Sequence, residues 1–267
     1  MMKSKLIMFE GVDGSGKSTM IDDLKNEIKD INPKLKVQTI AFPNVKAFGG
    51  LKIRSILADG KAMNYPPDVF QGLYILNMIE TFDKTVNPFF EKNPENAIML
   101  IDRGPISTLL YNAMNGGSIY HSIRTYLKRS RLLGDNTISE DESRLDLDII
   151  LNKYCHLVKP VDYYVFVQPP INVVIDRSIK RGSGEEFDSS NYVKRMYRAY
   201  DEFYTFVSGR LNRNIMDSIE GADTMVRPSS VVAKKAIRFD SWNPLFSEAE
   251  NHRLHRQELL KKLKLIK

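Results

Sequence analysis

Residues 11–19 read Gly-Val-Asp-Gly-Ser-Gly-Lys-Ser-Thr, a pattern of one glycine, four residues, Gly-Lys and a hydroxyl residue. A short apolar run at residues 6–9 precedes this stretch, and apolar residues at helical spacing follow it over residues 20–28. A strand, a glycine-rich turn and a helix in this order form a loop whose backbone N–H groups surround phosphate oxygens. The stretch therefore predicts a binding site for the phosphates of a nucleotide.

The loop residues have expected parts in binding ATP and Mg²⁺. Lys17 is expected to reach the β- and γ-phosphates, and the Ser18 hydroxyl to bind Mg²⁺. Asp102, at the end of a later strand, is the second candidate for the metal ion, since ligands of parallel sheets bind at this edge. The remaining candidate ATP contacts are Gly11, Asp13, Gly14, Ser15, Gly16 and Thr19.

The composition is that of an ordinary globular protein. The chain has 267 residues, 42% apolar and 27% charged, which disfavours disorder, collagen-like repetition and a coiled-coil rod. A single cysteine excludes an intramolecular disulfide and favours a cytoplasmic protein. No apolar run is long enough for a membrane span, and no signal peptide is recognised. The net charge of +6 suits phosphorylated small molecules, and neither membrane nor nucleic acid is expected as a partner.

Strand and helix patterns alternate along most of the chain, which predicts an α/β fold with a five-stranded parallel sheet flanked by helices. Strands are predicted at residues 6–9, 36–41, 97–101 and 163–167, with a weak fifth at 214–216. Helices are predicted at residues 20–28, 68–90 with a break near Asn87-Pro88, 173–180, 192–207 and 231–237.

The residues after the loop distinguish between classes of nucleotide-binding protein. A GTPase is expected to carry a base-reading Asn-Lys-x-Asp segment, and the chain has none. A motor ATPase usually ends its third strand in carboxylates, whereas this strand ends in Asp102-Arg103. An acid and a base side by side near the phosphates favour a small-molecule kinase.

Further motifs follow the loop in a fixed order. They are Phe42-Pro43 after the second strand, a helical stretch at 52–57, Asp102-Arg103 with Ser107 and Tyr111, and the basic segment 176–182. Loop and motifs together resemble the thymidylate kinase family of nucleoside-monophosphate kinases from about residue 5 to residue 237. The resemblance implies a P-loop NTPase fold with a lid, ATP and Mg²⁺ as cofactors, conversion of dTMP to dTDP, and pairing into homodimers.

The resemblance also implies roles for single residues. Asp13 is expected to contact the deoxyribose 3′-OH of the acceptor, and Tyr74 stands where the family has a phenylalanine that stacks on thymine. Arg103 is expected to bridge the donor and acceptor phosphates, and Arg177 and Arg181 of the lid to close over the transferring phosphoryl group. Together with Lys17 these arginines form the expected catalytic set. The other acceptor contacts implied are Phe42, Pro43, Ser107 and Tyr111.

Some positions depart from the family's pattern. Gly104 replaces the tyrosine of Asp-Arg-Tyr, Met78 stands where the family has an arginine one turn after Tyr74, and residues 185–188 lack the usual lid arginine. A thioether has neither a charge nor a hydrogen-bond donor for a phosphate. We therefore expect Arg54, helped by Arg103, to hold the acceptor phosphate, with Lys46 in a secondary role. The base preference of the acceptor stays open.

The domain organisation follows from the same alignment. One nucleotide kinase domain is expected over residues 1–237, with a polar insertion at about 115–148 and a lid at about 177–190. Residues 238–267 are expected to be a helical C-terminal extension, because Leu259, Leu263 and Ile266 form an apolar stripe.

Two alternative functions stay open on the sequence alone. A deoxynucleoside kinase phosphorylates the 5′-OH itself and needs a carboxylate base near the end of the second strand, where residues 39–42 contain no acid. A nucleotide-binding protein without turnover would use the basic tail and the insertion as its interaction surface.

Overall fold

The computed structural model describes residues 2–117, 161–181, 190–207, 236–240 and 246–266. Within them, five parallel strands form one sheet in the order β2-β3-β1-β4-β5. The strands are β1 Lys5–Glu10, β2 Lys36–Ala41, β3 Ala97–Asp102, β4 Tyr163–Val167 and β5 Ala236–Phe239. The five-stranded parallel sheet predicted from the sequence is confirmed.

Helices cover both faces of this sheet. They are α1 Lys17–Ile31, α2 Gly50–Ala58, α3 Pro67–Thr81, α4 Asn87–Lys92, α5 Pro105–Met114, α6 Ile171–Arg181, α7 Ser190–Val207 and α8 Glu248–Lys262. Each described helix is too short or too polar to span a bilayer.

The central strand β1 separates two apolar cores. Leu6 and Met8 face a core built with α3, α5, α6 and α7, whereas Ile7 and Phe9 face a second core with α1 and α8. Side chains alternate between the faces of a strand, so a central strand of a two-sided sheet is apolar at every position. This arrangement places the carboxyl end of β1, and the loop that follows it, at the middle of the side of the sheet where all five strands have their carboxyl ends.

The predicted break near Asn87-Pro88 lies elsewhere in the structure. The chain stays helical from α3 into α4, and the irregularity is a π-helical turn at Phe82–Val86. Pro88 occupies the first turn of α4, where a missing N–H is tolerated. The prediction of one long helical stretch is confirmed, and the position of its break is corrected.

The fifth strand of the described sheet, β5, was not predicted as a strand from the sequence. Residues 214–216 lie outside the described part of the chain, as do 118–148 of the predicted insertion and 182–189 of the predicted lid. Ala236 and Ile237, predicted as the end of a helix, belong instead to β5. Ile237 and Phe239 are buried and β5 pairs with β4, so packing against the sheet decides the conformation of this four-residue stretch.

The helix predicted near the end of the chain is present as α8. It begins with a capping box in which Ser247 and Glu250 bond each other's backbone. Leu259 and Leu263 are fully buried in the core beside α1, and Ile266 packs against the same cluster. The predicted boundary at residue 238 falls inside β5, so the sheet of the kinase fold continues past it.

Candidate active site

The glycine-rich loop between β1 and α1 has a backbone that only glycine readily adopts. Gly11, Gly14 and Gly16 all have positive φ angles, of 148°, 79° and 91°. A Cβ on Gly11 would lie 2.5 Å from the Val167 carbonyl oxygen, so strand β4 presses directly on the loop. Helix α1 starts at Lys17 and directs its N-terminal N–H groups and partial positive charge toward the loop. This is the geometry that binds phosphate groups.

Lys17 is held across the loop by the loop's own atoms. Its ammonium donates to the Val12 carbonyl oxygen at 2.8 Å and to the Ser15 hydroxyl at 3.4 Å. Burial, and next the charge of Arg103, lower the pKa of Lys17 to about 8, against the opposing effect of Asp102, Asp13 and Glu10. A bound triphosphate would raise this pKa again, since anionic oxygens favour the ammonium.

Ser18 and Asp102 meet at the same end of the cleft. The Ser18 hydroxyl donates to Asp102 Oδ2 at 2.5 Å, and both side chains line a cleft of about 410 Å³ together with the phosphate loop. Mg²⁺ takes hydroxyl, carboxylate, water and phosphate oxygens as ligands. The two oxygens therefore fit the metal ion expected from the sequence. Among the described residues, no cluster of three or more acidic, His or Cys side chains offers a competing metal site.

Arg103 is the centre of a charged network beside the loop. Its Nη2 donates to Asp13 Oδ1 at 2.5 Å, and its Nη1 donates to the Gly11 carbonyl oxygen at 3.2 Å. The Tyr111 hydroxyl donates to the other Asp13 oxygen at 2.8 Å. Burial acts to raise the pKa of Asp13, but the charges of Arg103 and Lys17 outweigh it and hold that pKa well below its usual value. Asp13 is therefore ionised at neutral pH.

Glu10 is a buried acid of this network that the sequence analysis missed. It accepts a hydrogen bond from the Ser107 hydroxyl, which also bonds the Tyr200 hydroxyl at 2.7 Å. Burial raises the pKa of Glu10 to about 7, although the hydrogen bond from Ser107 and the charges of Arg103 and Lys17 act to lower it. The sequence does contain a signal that could have identified Glu10, since it is a charged residue at the end of an otherwise apolar stretch. Tyr200, on α7, gave no such signal.

A second cavity opens beside Arg103, and several residues that were predicted to contact the acceptor line it. Its lining includes Phe42, Pro43, Tyr74, Ser107 and Tyr111. Phe42 and Pro43 are joined by a cis peptide bond. The lining also includes Gln71 and Thr108, which the sequence analysis did not single out.

The two cavities share four side chains. Asp13, Phe42, Arg54 and Arg103 line both the cleft at the phosphate loop and the second cavity. Two guanidinium groups thus line both cavities, where they are available to anions bound in either one. Lys46, the second candidate for the acceptor phosphate, lines a third groove along β2, which Arg54 also lines.

The two lid arginines lie on one helix. Arg177 donates from Nη1 to the Gly14 carbonyl oxygen at 3.0 Å and lines the phosphate cleft. Arg181 is the last residue of α6, and its side chain lies outside the described part of the structure. The structure thus brings Arg177 into contact with the loop.

The C-terminal helix α8 reaches the phosphate loop from behind. A Cβ added to Gly16 would lie 2.9 Å from Cε1 of His252 and 3.1 Å from Nη1 of Arg177. His252 is buried, and Arg256 on the next turn forms ion pairs with Asp23 and Glu27 of α1. The loop is therefore supported by a segment that the sequence pattern placed in an extension.

Comparison with known proteins places this geometry in a family. A family model for thymidylate kinase matches residues 9–141. A thymidylate kinase of Mycoplasma capricolum subsp. capricolum is 30% identical over 149 residues, which cover 53% of this chain and 67% of that protein. The chain belongs to the thymidylate kinase family. The family resemblance inferred from the loop and the ordered motifs is confirmed.

Other members of the thymidylate kinase family match over different lengths. The enzyme of Prochlorococcus marinus subsp. pastoris is 32% identical over 114 residues, 41% of this chain and 51% of that protein. The chain spans about half the length of the first curated relatives it matches. The solved thymidylate kinase of Candida albicans superposes with a TM-score of 0.55 at 15% identity, covering 98% of this chain and 93% of that one. This likeness confirms the P-loop NTPase fold.

Two departures from the thymidylate kinase pattern have local causes in the structure. A Cβ on Gly104 would lie 3.0 Å from Met8 Sδ and 3.1 Å from Glu10 Oε1, so a larger residue would require these side chains of β1 to shift. Met78 is 2% exposed and packs in the core with Phe42 and Phe82. An arginine at position 78 would bury its charge among these rings, which is unfavourable.

Proposed function

We propose that the chain transfers the γ-phosphoryl group of ATP to a deoxynucleoside monophosphate, dTMP foremost, yielding ADP and dTDP. The observation that carries this proposal is the junction of the two cavities at Arg54 and Arg103. One cavity has the phosphate loop and the other has aromatic walls, so donor and acceptor phosphates meet between two cations. Phosphoryl transfer depends on such alignment and charge neutralisation more than on a base.

Each charged group then has a defined task. Lys17 and the loop N–H groups bind the β- and γ-phosphates, while Arg103 and Arg54 bind the acceptor phosphate. Ser18 and Asp102 would hold Mg²⁺, which supplies charge neutralisation at the donor phosphates when bound. Arg177 closes the donor side, and we include Arg181 with it as a lid residue.

The geometry favours a monophosphate acceptor over a nucleoside hydroxyl. A hydroxyl acceptor needs a general base, whereas the second pKa of a phosphate monoester is about 6 and leaves it largely dianionic at pH 7. Asp13 is the carboxylate that lines the acceptor cavity, and its low pKa makes it a poor base. The proposal is tested by measuring ADP formation with every deoxynucleoside monophosphate and deoxynucleoside. Diphosphate from dTMP is the expected product, and turnover of nucleosides alone would contradict it.

We propose that Asp13 binds the deoxyribose 3′-OH in addition to accepting its hydrogen bond from Arg103. A carboxylate accepts about four hydrogen bonds, so its bonds from Arg103 and Tyr111 leave capacity for a sugar hydroxyl. Such a charge-assisted bond contributes about 1.5–3 kcal/mol. Asp13→Ala is expected to lower kcat/KM for dTMP by more than about tenfold, with ATP binding retained. Unchanged acceptor kinetics would restrict Asp13 to shaping the loop.

We also propose that two copies of the chain associate through α2 and α3. These neighbouring helices expose apolar side chains, among them Leu51, which is 71% exposed, and Leu76, which is 48% exposed. Exposed apolar patches of this kind mark association surfaces. Light scattering after size exclusion is expected to give twice the chain mass, and Leu51→Glu with Leu76→Glu to give the monomer.

A further inference from the structure

Two buried polar side chains of the acceptor cavity have no hydrogen-bond partner within the part of the chain that the structure describes. Gln71 is 4% exposed and Thr108 is 5% exposed, and both line the cavity. Neither side chain makes a hydrogen bond to any residue that the structure describes. A buried polar group without a partner loses its bonds to water and gains none in return, so such groups are uncommon in proteins.

The other buried polar side chains around this cavity show the contrast. Asn77 and Thr81, on the same helix α3 as Gln71, bond the segment after Phe42-Pro43 and the helix backbone. Ser107 and Asn112, on the same helix α5 as Thr108, bond Glu10 and Asp68. Gln71 and Thr108 differ from these four neighbours, and both line the cavity, where a ligand can supply the missing partners.

We propose that Gln71 reads the base of the acceptor nucleotide through its side-chain amide; this inference rests on the proposed function. An amide carries one acceptor and two donors side by side. Thymine presents the complementary pair on its ring edge, an N3–H donor next to the O4 acceptor. The Oε1 of Gln71 accepts from N3–H while Nε2 donates to O4.

The surroundings of Gln71 are suited to a flat base. Phe70 and Tyr74, its neighbours in sequence and along the helix, pack edge to face with ring centroids 5.5 Å apart, and both line the cavity. Met78, one turn beyond Tyr74, has no hydrogen-bond donor to offer. Gln71 is therefore the amide on α3 that lies beside these rings in the lining of the cavity.

The proposal is tested by binding, so that it does not depend on turnover. Calorimetry gives the dissociation constants of dTMP and of N3-methyl-dTMP, in which a methyl group replaces the N3 hydrogen. The wild-type protein is expected to bind dTMP at least about tenfold more tightly, because the analogue leaves Gln71 Oε1 without its donor. Gln71→Leu, which removes the amide at similar size, is expected to bring the ratio below about threefold.

Two further variants make the result decisive. Thr81→Val alters another buried polar residue of α3 that does not line the cavity, and it is expected to keep the wild-type ratio. If Gln71→Leu does not fold, Gln71→Met is used in its place, because methionine keeps the length of the glutamine side chain. A Gln71 variant that folds and keeps the wild-type ratio would overturn the proposal. Absence of dTMP binding by the wild-type protein would overturn the proposed function, and this inference with it.

Discussion

The phosphate loop and the acceptor cavity differ in how far the protein itself satisfies the hydrogen bonds of their polar side chains. At the phosphate loop the protein itself bonds the charged side chains: Lys17 is held by the loop, and Asp13 by Arg103. In the acceptor cavity, Gln71 and Thr108 are buried and have no partner among the described residues. We therefore expect the donor end to be preorganised by the chain and the acceptor end to be completed by its substrate.

Substitutions in the two regions are therefore expected to change different kinetic constants. Changes at the donor end remove charge that stabilises the transition state, and they are expected to lower kcat. Changes at the acceptor end remove contacts made in the ground state as well, and they are expected to raise the acceptor KM or to alter selectivity.

The largest effect is expected from Lys17→Ala. Loss of one preorganised cation at the transferring phosphoryl group is expected to lower kcat by about 10³-fold. Lys29→Ala, near the exposed end of the same helix, is the matched control and is expected to be silent. The measurement is the steady-state rate of ADP formation with both variants checked for folding by circular dichroism. A folded Lys17→Ala protein with near-normal turnover would contradict the assigned chemistry.

Glu10 is expected to make the stability of the donor end depend on pH. Its pKa of about 7 lies above the usual 4.5, so the folded protein binds a proton that the unfolded chain releases between these values. Stability is therefore lost as pH rises from 5 to 7.5, by about 2–3 kcal/mol. Urea unfolding at several pH values checks this, and Glu10→Gln is expected to remove most of the slope. If the stability of the wild-type protein and that of Glu10→Gln depend on pH equally, Glu10 is not the source of the pH dependence.

Arg54 tests the acceptor end. It lines both cavities, whereas Lys46 lines only the groove along β2 among the cavities described. Arg54→Ala is expected to raise the acceptor KM by about 10–100-fold through the loss of a charge-assisted bond, with the ATP KM unchanged. Lys46→Ala is the control and should leave both constants within about twofold. If Arg54→Ala is silent, the arginine does not bind the acceptor phosphate.

The smallest effect is expected from His252, which supports the loop from behind. His252→Ala leaves a void against Gly16 and is expected to raise the ATP KM by about three- to tenfold. His255, also on α8 and equally buried, stacks on Phe239 with ring centroids 4.9 Å apart. His255→Ala is expected to lower the melting temperature without changing the ATP KM. Equal ATP constants in the two variants would show that α8 only stabilises the fold.

How much the sequence predicted differs between local and distant structure. The loop and strands β1 to β4 were predicted because a motif or an apolar run decides each one locally. The stretch that forms β5 was predicted in part as a helix, since four residues become a strand only by pairing with β4. Glu10 and Gln71 were missed because their chemistry depends on which partners surround them after folding. No pattern along the chain records whether a buried carboxyl or amide is satisfied.

The support of the loop by α8 has a consequence for how the protein is made. Arg256 and its partner Asp23 lie 233 positions apart in the chain. At about 5–20 residues per second, a ribosome adds the second roughly 10–50 s after the first. Until then the apolar side of α1 that Leu259 and Leu263 later cover is open to other chains. The nascent phosphate loop therefore depends on the last described helix to emerge, and the chain is vulnerable to aggregation during that interval.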